Sequence, residues 1–336
     1  MLYVETNTTA PATSLSMKEV RSVVADDMKA FKRYFRESMR SDVGLLDTVT
    51  QYVLRQKGKQ IRPMLVLLAA RACGTVTERT YRAAALVELL HTATLVHDDV
   101  VDEAETRRGL FSINALWKNK VAVLLGDFFL SRGLLLSLEN EDYGMLQTLS
   151  DAVRRMSEGE LLQLEKSRRL DIDEATYTRI ISDKTASLIA ACTACGALSV
   201  TDDDATIQRL KQLGEKLGLA FQIRDDLFDF GVKDVGKPIG IDIQEKKLTL
   251  PLIYALRETD AATRKRIMKI IRKSKKTKAD IRTVSAFAFE AGGIDYARRA
   301  MQGYASEARA LLAPFEASTA KAALNGIIDY TVQRGK

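Results

Sequence analysis

The chain carries one five-residue acidic motif twice. The first copy is Asp98-Asp99-Val100-Val101-Asp102, and the second is Asp225-Asp226-Leu227-Phe228-Asp229. On a helix, residues four apart share a face and differ by about 6 Å in height. Asp98 therefore projects with Asp102, and Asp225 with Asp229. Like charges at that spacing destabilise a helix unless a cation lies between them. Carboxylate oxygens are hard donors that suit Mg²⁺, which takes one or two of them and fills its shell with substrate phosphates. One copy alone reads equally well as a solvated acidic turn. Here the first copy closes an apolar stretch, VELLHTATLVHDD, and the second follows another, GLAFQIRDD. Acidic turns on two apolar helices suggest two walls of a buried cavity, and the pair points to a metal–diphosphate site.

A diphosphate held by metals needs cations on its remaining oxygens. Arg107-Arg108-Gly109 follows the first motif, and an arginine presents a planar fork to phosphate. Gly58-Lys59-Gln60-Ile61-Arg62-Pro63 is a second basic cluster, ahead of an apolar helix. Alone it is weak, because Lys and Arg are common near helix starts. His91 and His97, the only two histidines, are six residues apart and lie on different helix faces, so they are not a metal pair.

Long helices must position these groups. No proline occurs between Met64 and Lys237. Apolar residues there recur at three and four, as in Leu86, Leu89, Leu90, Ala93 and Val96. Strand-like alternation is missing. Short breaks fall at Gly74-Thr75, Arg108-Gly109, Glu139–Gly144 and Thr201–Asp204. The expected fold is all-α, a single bundle with sites between facing helices. Gly231–Thr249, with three glycines and a proline, reads as a long loop of the kind that covers a site. Pro251 suits the first turn of the next helix.

Composition sets the outer bounds. The chain has 336 residues, 46% hydrophobic and 28% charged, an ordinary balance for a globular protein. Residues 1–16 are polar, Thr/Ser-rich and without a secretory pattern, so they read as a disordered lead-in to a single domain over 17–336. No apolar run approaches the roughly 20 residues of a membrane span, and the expected location is cytoplasmic. The net charge of +7 is mild. The basic run Arg264 to Lys278 reads as a solvated helix surface, and no nucleic-acid partner is expected. Cys73, Cys192 and Cys195 are too few for a disulfide framework. Cys192-Thr193-Ala194-Cys195 reads as two small core residues.

Together these pieces resemble the trans-isoprenyl diphosphate synthase family, in its medium- to long-chain polyprenyl members. The resemblance runs from about Gly58 to the tail DYTVQRGK and includes KTASL, AFQIRDD and GKPIGIDIQEKKLTLP. It implies an isoprenoid-synthase bundle with a central cavity, a homodimer, and transient membrane contact for product release. It also implies three Mg²⁺ ions, with Asp98 and Asp102 on two, Asp225 on the third, and Asp229 a further candidate ligand. Lys59, Arg62 and His91, with Arg108 beside them, would bind isopentenyl diphosphate. Arg107, Lys184, Thr185, Gln222, Lys237 and Lys247 would hold the allylic diphosphate, the three lysines acting in catalysis. Either Lys246 or Lys247 could make the last contact. His97 stays structural. Ala93 and Thr94, small residues on the helix of the first motif, would let a growing chain pass and so set a product of about six to eight units, as for quinone side chains.

Two other activities compete. A class I terpene cyclase shares the metal chemistry, but GKQIRP and Arg108 would then serve no second diphosphate. A non-catalytic partner subunit would lack intact metal motifs, and both are intact here.

Overall fold

The computed structural model describes residues 15–55, 58–107, 110–231 and 240–333. The first helix begins at Met17, at the expected boundary. Ser16 caps α1 (Met17–Val23), accepting from the Glu19 amide while Glu19 accepts from the Ser16 amide at 2.8 Å. Residues 1–14 of the expected lead-in lie outside the described residues.

Next come α2 (Ala25–Ser38), α3 (Gly44–Arg55), α4 (Ile61–Cys73) and α5 (Glu78–Val101). A short hairpin interrupts the helices. Strand β1 (Thr106–Arg107) pairs antiparallel with β2 (Leu110–Phe111). Two-residue strands carry no alternating pattern, so the sequence did not announce them. The chain continues through α6 (Ile113–Leu138), α7 (Tyr143–Arg169) and α8 (Glu174–Ile181). A π-helical turn, Ser182–Ala186, leads directly into α9 (Ser187–Leu198), and α10 (Asp204–Asp229) follows. The expected loop holds a short helix, α11 (Ile241–Gln244). Helices α12 (Leu250–Glu258), α13 (Ala261–Ile271), α14 (Lys278–Glu290), α15 (Gly293–Leu312) and α16 (Thr319–Gln333) complete the bundle. Pro251 stands in the first turn of α12, as expected.

The bundle has two apolar clusters. The larger centres on α4, α5 and α9 and includes Leu67, Leu86 and Leu89. The smaller joins the end of α10 to α12, α14 and α15 through Ile223, Leu252 and Ala297. Helix α9 is buried almost throughout because its side chains are small. Cys192 and Cys195 sit inside it as free thiols, and burial pushes Cys192 up to about 12. The CxxC spacing is core packing, as read. His97 also keeps its structural place, with Nε2 3.2 Å from the Val123 carbonyl oxygen of α6. The basic run around α13 is mostly exposed.

One membrane expectation changes. Ile113–Leu138 is long and apolar enough to cross a membrane by length and composition, although a core helix passes the same test. Lys118, Lys120, Asp127 and Arg132 hide the run in the sequence. The helix packs along α5 and kinks at Lys118, whose φ is 71°.

Candidate active site

Helix α5 ends at the first acidic motif. Asp98 and Asp102 share a face there and are both exposed. Asp99 turns inward at 2% exposure, gripped by Arg107, whose Nε and Nη2 both lie 2.6 Å from its Oδ1. The hairpin returns Arg107 to the motif it follows. Partial desolvation by the surrounding elements pushes the Asp98 carboxyl above its ordinary range, although the residue keeps solvent contact. Asp102 and Glu160 add to that push, while Arg107 and Lys184 oppose it. The first motif is therefore within electrostatic reach of α7 and the π turn.

Helix α10 ends at the second motif, where the surroundings differ. Asp225 lines a cavity of about 220 Å³. Asp226 is buried and accepts from the Tyr177 hydroxyl at 2.6 Å and from Gln222 Nε2 at 2.8 Å. Burial, reinforced by Asp242, pushes it up to about 7 despite those hydrogen bonds. Asp229 accepts the backbone amides of Ile241 at 2.8 Å and Asp242 at 3.2 Å. Both of its carboxylate oxygens hold the start of α11. Asp229, a candidate metal ligand beside Asp225, thus also satisfies orphan amides at the start of α11.

The π turn supplies the opposite wall. Such a turn widens the helix by one residue and often marks a functional site. Here it carries Lys184 and Thr185 into the cavity. Two glycines seat it. A Cβ at Gly159 of α7 would lie 3.0 Å from the Lys184 amide nitrogen, and one at Gly218 of α10 would lie 2.5 Å from Ala186 Cα. Arg155 braces it from behind, donating to Asp183 at 2.8 Å, Ser182 at 2.9 Å and Glu215 at 3.1 Å. Thr185 donates to Gln222 at 2.8 Å, so Tyr177, Asp226, Gln222 and Thr185 form one chain of hydrogen bonds. Lys184 pairs with Glu160. Lys247 pairs with Glu245 at 2.6 Å; burial works against its charge, but that partner raises its pKa.

The remaining predicted residues lie further along α4 and α5. Gln60 enters α4 with φ 53°, which turns the exposed Lys59 away from the helix axis. Arg62 and Glu88 both act on the Cys192 thiol, which places Arg62 between α4, α5 and α9. Its buried Nε has no hydrogen-bond acceptor among the described residues. His91 is buried about two turns before Asp98, on the same side of α5. Ala93 is buried, and Thr94 is half-buried with its hydroxyl donated to the His91 carbonyl at 2.9 Å. Arg108 and Lys237 lie outside the described residues. The structure thus gathers Lys184, Thr185, Gln222, Asp225 and Lys247 around one cavity, with Lys246 also on its lining. Asp98, Asp102 and Arg107 form a neighbouring wall. Lys59, Arg62 and His91 stand apart, off that cavity.

Sequence reasoning missed Tyr177, Glu160, Gln163, Asp242 and the Arg155 brace. Glu160 and Gln163, three apart in GELLQL, were the one local signal, a polar pair in a leucine run. The others depend on long-range partners.

The family described as Polyprenyl synthetase matches residues 43–287. The chain belongs to this family. It is 38% identical over 244 residues to the octaprenyl diphosphate synthase of Escherichia coli (strain K12), covering 72% of this chain and 76% of that protein. The solved decaprenyl diphosphate synthase from Rhodobacter capsulatus superposes with TM-score 0.89 at 36% identity, covering 95% of this chain and 99% of that one. A polyprenyl synthase from Caulobacter crescentus CB15, complexed with calcium and isoprenyl diphosphate, superposes with TM-score 0.86 at 35% identity, covering 97% and 100%.

The donor set suits the hard divalent cations that a polyprenyl synthetase would use. Asp98, Asp102 and Asp225 offer carboxylate oxygens, and partial desolvation with neighbouring carboxylates already raises Asp98, which a cation would relieve. Among the described residues, no three such groups converge tightly enough to hold an ion alone. Substrate phosphate oxygens must complete each shell, as Mg²⁺ chemistry favours.

Proposed function

We propose that this polyprenyl synthetase is a Mg²⁺-dependent trans-prenyltransferase. It condenses isopentenyl diphosphate with an allylic prenyl diphosphate and repeats the step to a long-chain product of about six to eight units, for quinone side chains. The observation that carries this reading is the second acidic helix end and the π-turn lysine lining one cavity, with the first acidic helix end beside it. The alternative cyclase has no use for the separate Arg62 and His91 region. The octaprenyl and decaprenyl products named for the relatives support the long-chain range.

The allylic C–O bond breaks to a resonance-stabilised cation, and negative charge grows on the departing diphosphate. Asp98, Asp102 and Asp225 would hold three Mg²⁺ ions, which would supply Lewis-acid stabilisation of that charge. Lys184 and Lys247 exchange the carboxylates of Glu160 and Glu245 for phosphate oxygens. Each charge-assisted hydrogen bond contributes roughly 1.5–3 kcal/mol. Arg107 reaches the same diphosphate from the first motif, and Lys237 is a further cation for it. Thr185 and Gln222 orient it through their shared hydrogen bond. Arg62, whose buried Nε is kept for a ligand, binds the isopentenyl diphosphate with Lys59, His91 and Arg108. The isopentenyl double bond attacks the cation, and a proton leaves the adduct. Asp242, Lys247, Leu248 and Thr249, which line the cavity, help to keep water from quenching the cation.

The active species is a homodimer. Helix α6 presents Val123, Leu124, Leu134, Leu135 and Leu138 to solvent, and a second copy covers that apolar stripe. The enzyme works in the cytoplasm with transient membrane contact when its apolar product leaves. Mass spectrometry of the products from farnesyl diphosphate, isopentenyl diphosphate and Mg²⁺ tests the reading. Linear diphosphates of about six to eight units are expected. A cyclised hydrocarbon, or no elongation by the purified chain alone, would overturn it.

A further inference from the structure

A second cavity lies beside the candidate active site, with a volume of about 440 Å³. It is bounded by the end of α7, the turn after α11 and the residue that ends α13. Ser167 and Lys246 line both cavities, so the two share a wall. The lining is basic: Arg168, Arg169, Lys246 and Arg272, with Glu245 as its one acidic member. Glu245 is committed to Lys247 at 2.6 Å, and Arg169 to Glu165 at 3.1 Å. Arg168, Lys246 and Arg272 have no carboxylate at ion-pair distance among the described residues.

Cations at helix ends offset the macrodipole, which accounts for arginines on α7 and α13 one at a time. It does not account for Lys246, which stands outside any helix. Lys246 is held at φ 62°, a left-handed conformation that costs a non-glycine residue and persists where function needs it. It also faces a fifth cation. Lys276 is buried, and its ammonium donates to the carbonyls of Gln244 at 3.2 Å and Lys273 at 3.1 Å. Burial and the charge of Lys246 push the Lys276 pKa down. The fold thus keeps unpaired and mutually repelling cations around a concave space, an arrangement that a multiply charged anion relieves.

We propose that this basic cavity is a second binding site, for a phosphate-bearing polyanion of the inorganic diphosphate class, separate from the catalytic cavity. Two sources share that chemistry. One is the diphosphate set free at each condensation, which rests on the function proposed above. The other is a lipid phosphate headgroup, since the exposed Leu164 lines the same cavity.

The test uses the full chain and Arg168→Glu/Arg272→Glu. Both arginines are exposed and neither belongs to the catalytic site, so a single condensation should keep its wild-type rate. Isothermal titration with inorganic diphosphate should give one site fewer in the variant than in the wild-type chain, the remaining affinity unchanged. Co-sedimentation with phosphatidylcholine vesicles carrying phosphatidic acid distinguishes the source. Loss of diphosphate stoichiometry assigns the site to free diphosphate, and loss of vesicle binding alone assigns it to lipid. Equal stoichiometry and equal vesicle binding in the two proteins would overturn the proposal. These readouts need no turnover, so they stand whether or not the chain transfers prenyl groups.

Discussion

The two acidic motifs have the same pattern and do different work. At the end of α5, Arg107 takes Asp99, and Asp98 and Asp102 stay exposed. At the end of α10, Tyr177 and Gln222 take Asp226, the start of α11 takes Asp229, and Asp225 lines the cavity. The first motif buries one carboxylate and leaves two exposed, whereas the second buries Asp226, ties Asp229 to backbone amides and sets Asp225 on the cavity lining. A five-residue motif fixes which side chains can share a face. The elements packed around it decide what each of them contacts.

The largest effects should come from the carboxylates proposed to hold metal. Asp98→Ala or Asp225→Ala should lower turnover by about two orders of magnitude or more, with circular dichroism unchanged. Activity within a few-fold of wild type at saturating Mg²⁺ would remove the division of labour between the motifs.

Next is the region that neither motif reaches. Arg62→Ala should raise the isopentenyl diphosphate KM by about ten- to a hundred-fold, the equivalent of roughly 1.5–3 kcal/mol. Steady-state kinetics with each substrate varied in turn checks it. A shift in the allylic KM instead would mean that the two diphosphate sides are reversed.

The helices behind the motifs sharpen the contrast further. Ala93 and Ala220 each stand five residues before their motif, and both are buried. Ala93→Tyr should shorten the product to about three or four units by blocking the path roughly 7.5 Å below Asp98, while the first condensation keeps its rate. Ala220→Tyr should instead overpack the smaller cluster and destabilise the fold by about 1–3 kcal/mol. Product mass spectra and denaturant titrations read the two outcomes. A full-length product from Ala93→Tyr would place the chain's path on another helix.

A smaller effect is expected behind the second motif. Tyr177→Phe removes one donor from the buried Asp226 and should cost about 1–3 kcal/mol of stability, with only a few-fold loss of turnover. A loss of turnover as large as that of Asp225→Ala would make Asp226 a ligand in its own right.

Much of this architecture was legible in advance. Apolar residues at helical spacing, the long stretch without proline and the polar breaks gave the bundle, and Pro251 marked a helix start. The paired motifs and the KT dipeptide located the cavity. The unequal use of the motifs was not legible, because Tyr177 lies 49 residues from Asp226 and Asp229 is claimed by backbone amides. No side-chain pattern reports a backbone donor. The π turn was hidden for a related reason: Gly159, Gly218 and Arg155 meet it only after α7, α9 and α10 pack together.

The most direct test compares Asp225→Asn with Asp229→Asn, measuring turnover as a function of Mg²⁺ concentration. Asp225→Asn should raise the Mg²⁺ requirement and lower the plateau by about a hundred-fold or more. Asp229→Asn should keep the wild-type Mg²⁺ midpoint and lose only the activity that follows from a loosened α11. Equal shifts of the midpoint in both variants would contradict the account, because the second motif would then use both carboxylates on metal, as its sequence pattern alone suggests.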